Sequence, residues 1–237
     1  MKNIGIVCEG PTDFTILQSV INAITGESNY ILPLQPEPDL LGRYGNGWKG
    51  VLKWCTDNAA NKEHLMNDIQ PALDLLVIQM DGDVSRKEKP AHCCCSSSIC
   101  SARGHLDPVF CDTTKCPVIL PCGSHNGPIT GYMEHLKELI SSRLINIDNT
   151  CIVIPCDSIE AWIVAAYDGL NDVEFVSDPW EHIIAQGATY HGIRISGKKK
   201  RCRIFEEFAT VVSQNWQQVT QLCQSAKEFE QSILTLI

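Results

Sequence analysis

Three times along the chain a short apolar run ends at acidic residues and gives way to residues with helical periodicity. Residues 3–8, Asn-Ile-Gly-Ile-Val-Cys, stop at Glu9-Gly10-Pro11, after which Phe14, Leu17, Val20, Ile21 and Ile24 recur on one helical face. Residues 74–80 form a near-continuous apolar run, the pattern of a strand buried on both faces, and lead straight into Asp81-Gly82-Asp83. Cys151-Ile-Val-Ile-Pro155 leads to Cys156-Asp157-Ser158 and a helical stretch over Ile159–Tyr167. Strands alternating with helices at this spacing specify βαβ units. The expected fold is α/β, a mainly parallel, Rossmann-like sheet with helices on both faces. Ligands in such sheets sit beyond the carboxyl ends of the strands, where Glu9, Asp81, Asp83, Asp157 and Glu160 all fall.

The remaining segments fill this frame. Residues 29–36 read as a second strand, followed by a Gly-rich loop at 42–50, a helix from Trp48 to about Asn61 and a short helix near 62–70. Pro117–Pro121 reads as a strand and 129–145 as a helix burying Met133, Leu136, Leu139 and Ile140. Thr12 or Asp13 is the expected cap of the first helix. Residues 171–197 look loop-rich, and 202–237 form a helical region with Ile204, Phe205, Phe208, Val211, Val212, Trp216 and Val219 as its apolar positions. Trp54, Trp162 and Trp216 are expected in the core. The division that follows is an α/β domain over 1–200, interrupted by a Cys-rich insertion at 84–116, and a C-terminal helical extension over 201–237 packing on it.

Charge narrows the function. Asp+Glu 28 against Lys+Arg 19 gives a net charge of −9, which argues against a surface that grips nucleic acid or acidic membrane over its whole extent. The densest positive charge is local, Lys198-Lys199-Lys200-Arg201-Cys202-Arg203, and beside an acidic cleft it would hold a phosphodiester backbone. An Asp at a strand end is often only a turn former or a cap. Acids from three strand ends in one cleft, however, repel unless a cation holds them, and Mg²⁺ fits such an oxygen-rich set.

At these residues the chain resembles Toprim-domain proteins. The segment Val7-Cys8-Glu9-Gly10-Pro11-Thr12-Asp13 is similar to the Glu-Gly-x-Thr-Asp/Glu element of OLD-type and small stand-alone Toprim nucleases. Asp81-x-Asp83 is similar to their Asp-x-Asp, and Ser158-Ile159-Glu160-Ala161-Trp162 to their Ser-x-Glu-Ala-Trp. The chain departs from many of them where the Cys-rich insertion follows Asp83. The resemblance implies a metal-dependent endonuclease acting on DNA or RNA, an effector of bacterial anti-phage defence. Asp81, Asp83 and Glu160 would hold Mg²⁺ or Mn²⁺, Ser158 would assist, and Asp13 could join the metal shell. Glu9 would be a ligand or a general acid/base. A lysine at 198–200 would neutralise charge at phosphorus, with Lys198 taken as catalytic and Lys199, Lys200, Arg201 and Arg203 as nucleic-acid contacts. It also implies an ABC/OLD-type ATPase partner encoded nearby, since the chain has no Gly-x4-Gly-Lys-Ser/Thr motif. The rival readings are an endoribonuclease specific for tRNA or rRNA, and a non-catalytic metal-binding regulatory or scaffold subunit. The apolar face of the last helices would either cover the sheet or serve a partner or homodimer.

Other signals stand apart. Six of the 13 cysteines, Cys93, Cys94, Cys95, Cys100, Cys111 and Cys116, fall within 24 residues. Cys95-x4-Cys100 and Cys111-x4-Cys116 suggest a structural Zn²⁺ ordering a loop that lacks apolar residues; a reduced loop and a disulfide-linked one are the alternatives. The other cysteines lie in apolar stretches as small buried hydrophobes. Gly45-x-Gly47-x-x-Gly50 would need an acid about 20 residues on, at the end of the next strand; Asp68 has that separation but lies in a helical stretch before the strand, so a plain loop is the better reading, with Lys49 near a phosphate as a modest version. His191 sits in the loop before the basic run, where it could face the site. No apolar run approaches the ~18–20 residues of a membrane span. No secretion leader is visible, and the cytoplasm is the expected compartment.

Overall fold

The computed structural model describes residues 1–36, 47–87, 130–195, 197 and 199–237, excluding the side chains of 86, 87 and 130–132. The expected strand at 117–121, the cysteines of 93–116 with the candidate zinc ligands Cys95, Cys100, Cys111 and Cys116, and Lys198 lie outside the described residues. Among the described residues no helix is long and apolar enough to cross a membrane.

The β-branched runs form a four-stranded parallel sheet of β1 (Asn3–Val7), β2 (Tyr30–Gln35), β3 (Leu75–Gln79) and β4 (Thr150–Val153), in the order β2-β1-β3-β4. The fold class is therefore α/β, as the alternation of runs implied. From β1 the chain goes first to one side, through α1 (Pro11–Thr25) to β2. It then crosses to the other side, through α2 (Trp48–Asn58), a 3₁₀ turn (Ala59–Asn61) and α3 (Lys62–Asp68), to β3. The gap between the carboxyl ends of β1 and β3 is thus the point where strand order reverses and a crevice opens.

Alternate strand residues face two separate cores. Ile4, Ile6, Leu75, Val77, Cys151 and Val153 pack with α1, α6 (Glu160–Asp168) and the last three helices. Val7, Leu76 and Ile78 pack with α2, α3, Val84 of the short α4 (Val84–Lys87) and α5 (Thr130–Ser141), whose Met133, Leu136, Leu139 and Ile140 are buried as their spacing requires. Gly5 permits a close approach: a Cβ there would lie 2.6 Å from Leu34 Cδ1 and 2.8 Å from Leu73 Cδ1. Lys62 is buried, and its ammonium donates to the carbonyls of Asn146 and Asp148 and to Thr150 Oγ1 at 2.6–2.8 Å, fixing the entry to β4.

The C-terminal region forms α8 (Cys202–Gln214), α9 (Trp216–Leu222) and α10 (Gln224–Leu236). Phe205, Phe208, Val212, Trp216, Phe229 and Ile233 belong to the same core as Ile4 and Ile16, and α8 lies along α1. Trp162 sits at its centre, stacked on Phe229 at 5.7 Å, edge-on to Trp216 at 5.3 Å, with its indole N–H on Ser225 Oγ at 3.1 Å.

Three expectations need correction. Neither Thr12 nor Asp13 caps α1: Gly10 is the N-cap and Pro11 the first helical residue, so both side chains lie inside the first turn. The region 171–197 is more ordered than its glycines suggested. It contains a 3₁₀ turn at Val173–Phe175, α7 (Pro179–Ala185) and a hairpin of β5 (Thr189–Tyr190) with β6 (Ile193–Arg194), because Val173, Trp180, Ile183 and Tyr190 reach the core. Cys202 is exposed on α8, whereas Cys8, Cys55, Cys151, Cys156 and Cys223 are buried.

Candidate functional site

The site is built first where β1 and β3 end side by side. Glu9 follows β1, and its Oε1 accepts the Asp81 N–H at 2.8 Å. Gln79, the last residue of β3 and fully buried, serves both strand ends: its Nε2 donates to Asp81 Oδ1 at 2.7 Å and its Oε1 accepts the Glu9 N–H at 3.2 Å. The Glu9 carbonyl accepts the N–H of Gly47, whose φ of 82° is a conformation that suits glycine. Asp13, in the first turn of α1, is only 5% exposed. An acid there gains from the helix dipole, which favours its charged form against burial.

The turn after β4 is sewn to the turn after β3. Gly82 N–H donates to the Pro155 carbonyl at 3.0 Å and Asp83 N–H to the Asp157 carbonyl at 2.7 Å. Asp157 has φ 62°, and its Oδ2 accepts the Asp178 N–H at 2.9 Å, which ties the turn to the start of α7. Ser158 is buried just before α6. Glu160, the first residue of α6, is 0% exposed. Its Oε1 lies 2.6 Å from Lys200 Nζ, and its Oε2 has no hydrogen-bond partner among the described residues. Lys200 comes from the segment between β6 and α8, with its side chain 37% exposed.

These groups share one electrostatic environment. Burial, with the carboxylates of Asp13 and Asp83 adding to it, pushes Glu9 up to about 8, although the Asp81 amide and Lys200 pull the other way. Burial and then Glu160 push Asp13 up to about 7, opposed by Lys200. Asp81 is raised by burial first and then by Glu9, Asp13, Asp83 and Glu160. For Lys200 burial favours the neutral amine, but Glu160 and Asp81 outweigh it and hold the ammonium.

The fit to a divalent cation can be read from these partners. Among the described residues no three His, Cys, Asp or Glu side chains stand grouped around one ion-sized position. The acids are instead held by protein donors: Glu9 by the Asp81 amide, Asp81 by Gln79, Glu160 by Lys200. The feature that suits a cation is the orphaned Oε2 of Glu160, a wholly buried carboxylate oxygen within the field of Asp13 and Asp81. Buried polar atoms are otherwise almost always satisfied. The residues available to such an ion are Glu160, Asp81, Asp83, Glu9 and Asp13, with Ser158 nearby in sequence.

The other candidates are placed as follows. Lys199 is exposed, Arg201 is the N-cap residue of α8 without a side-chain cap, and Arg203 lies exposed in its first turn. Lys200, expected as a backbone contact, is the described lysine that reaches the acids. His191 does not face them. Its Nε2 lies 2.6 Å from Asp168 Oδ1, while His182 Nε2 lies 2.8 Å from Oδ2, eight residues (about 12 Å) along α6 from Glu160. Lys49 is at α2, its ammonium 5.3 Å from the centre of the Trp48 ring. Sequence reasoning passed over Gln79, although an amide is the one polar side chain between Leu75 and Met80, just before Asp81. It also passed over Arg194. No protein-family model, curated protein or solved structure matches the chain.

Proposed function

We propose that this chain is a Mg²⁺- or Mn²⁺-dependent endonuclease of Toprim type, hydrolysing phosphodiester bonds in DNA or RNA. The observation that carries the reading is the Glu160 carboxylate, wholly buried, with one oxygen against Lys200 and the other unpartnered, in the field of Asp13 and Asp81. Such a group is costly to keep for stability alone, since apolar replacements of buried charges are often neutral or stabilising. Asp81, Asp83 and Glu160, assisted by Ser158 and by Glu9 or Asp13, would hold the ion, which supplies Lewis-acid polarisation of the phosphodiester when bound.

The chain's own groups have separable tasks. Gln79 holds the Asp81 carboxylate and the Glu9 backbone in register across the gap between β1 and β3. Glu9, whose carboxyl burial raises in the ion-free protein, is the group placed to exchange a proton with the attacking or leaving oxygen where it does not serve as a ligand. Lys200, held as an ammonium by Glu160 and Asp81 at the edge of the site, would offer its charge to a phosphoryl oxygen. With a net charge of −9, most of the grip on nucleic acid would come from elsewhere, which accords with an ATPase partner and a role as a defence effector.

The test is cleavage of plasmid, single-stranded DNA and total tRNA with Mg²⁺ or Mn²⁺, comparing wild type with Asp81→Asn and Lys200→Gln. Metal-dependent cutting, lost in Asp81→Asn and reduced in Lys200→Gln, is expected, and the cut substrate names the class. Metal binding by calorimetry with no cutting, alone or with the ATPase, would instead make the chain a regulatory subunit.

A further inference from the structure

The basic run opens on a cavity. Arg194 at the end of β6, and Arg201 and Arg203 at the start of α8, line with Ile204 and Glu207 a space of about 510 Å³. This is the size of pockets that hold small organic ligands, about 300–1,000 Å³. Among the described residues, three guanidinium groups against one carboxylate line it and make it positive in a chain whose net charge is −9. Among the described residues the three arginine side chains make no ion pair, and all three residues are exposed. Arginine's planar fork matches phosphate oxygens two at a time. The first-turn N–H groups of α8 add to the attraction, because Arg201 leaves that 13-residue helix without a side-chain cap. Ile204 supplies an apolar wall of the kind a base or ribose covers.

The position relative to the acids matters as much as the charge. Arg201 is the next residue after Lys200, whose ammonium touches Glu160. The cavity and the residue that reaches the acids thus share one stretch of backbone, so a strand bound across both would place one phosphate at each. We infer that the Arg194–Arg201–Arg203 cavity is a subsite for a phosphate of the nucleic-acid strand flanking the one at the acidic site. The inference rests on the proposed nuclease reading for its ligand, but not for its test.

The experiment is fluorescence anisotropy of labelled single-stranded DNA and RNA oligonucleotides on the full chain in EDTA, over a range of salt. Arg194→Gln and Arg203→Gln are compared with Lys227→Gln, an exposed lysine on α10. Each arginine change is expected to weaken binding about tenfold and to lower the slope of log affinity against log salt by about 0.7, while Lys227→Gln leaves both unchanged. Equal affinity and slope in all variants would overturn the subsite. Adenosine monophosphate bound at the arginines while the strands are not would overturn the strand as its ligand. Because the readout needs no metal, arginine-dependent binding without cleavage on adding Mg²⁺ or Mn²⁺, alone or with the ATPase, keeps the subsite and sinks the nuclease. Cleavage with unaltered binding in the variants does the reverse.

Discussion

Replacing Lys200 by Gln leaves the Glu160 carboxylate wholly buried with no cation, whereas replacing Glu160 by Gln leaves an ammonium that already meets solvent. The two halves of the same ion pair should therefore differ in cost. Removing one partner of a fully buried pair costs about 3–5 kcal/mol. Since the Lys200 side chain is 37% exposed, water reaches its end of the pair, and about 2–3 kcal/mol is the reasonable figure for Lys200→Gln. Glu160→Gln should cost about 1 kcal/mol or less, because Lys200 can turn outward. In urea, with a slope of about 3 kcal/mol/M for a chain of this size, the midpoint should fall by about 0.7–1 M in Lys200→Gln and by about 0.3 M or less in Glu160→Gln. The double variant should be more stable than Lys200→Gln alone, a coupling of about 1–2 kcal/mol. Mg²⁺ should raise the midpoint of Lys200→Gln more than that of the wild type, since an ion binding the native state replaces the missing charge. All unfolding curves are to be taken in EDTA near neutral pH, except that one pair. A Glu160→Gln midpoint as low as that of Lys200→Gln would refute the reasoning.

Three further outcomes follow from the same geometry. The metal-free protein should lose stability as pH rises from about 4.5 to about 8, because burial raises Glu9 to about 8 and Asp13 to about 7 in the native state, which then binds more protons than the unfolded chain. Urea midpoints in EDTA across that window check it, and a rise would contradict it. Gln79→Leu should lower stability by about 1–3 kcal/mol and metal affinity about 10–100-fold, read by urea unfolding and titration calorimetry, since Asp81 and the Glu9 amide both lose their partner. Trp162→Ala should cost about 3–5 kcal/mol in the same unfolding assay, removing the ring held between Phe229 and Trp216.

The sheet was legible because buried parallel strands leave a near-continuous apolar signature, and residues 74–80 show it plainly. The acids at the strand ends were legible for the same reason: once the strands are known, topology carries Glu9 and Asp81 to one edge. What the sequence could not convey was which acid is pinned by what. Asp157 looks like Asp81 on paper, yet its carboxylate is tied to the backbone of Asp178. Nor does spacing distinguish three adjacent lysines, whose reach depends on where α8 begins relative to α1. The helix and hairpin within 171–197 were hidden because short elements rich in glycine and exposed polar residues have no period to detect; only their few core contacts, Trp180 and Tyr190 among them, hold them in place.

The packing of α8 along α1 has a temporal side. As the chain is synthesised, the strands and all of the acids are complete before Lys200 and the three helices behind it exist. Until those helices arrive, one face of the sheet lacks the cover that Phe205, Phe208, Phe229 and Ile233 provide, and Glu160 lacks its counter-charge. The acidic edge therefore depends on chain made after its own acids, since the stretch from Lys200 onward supplies both the cover and the counter-charge.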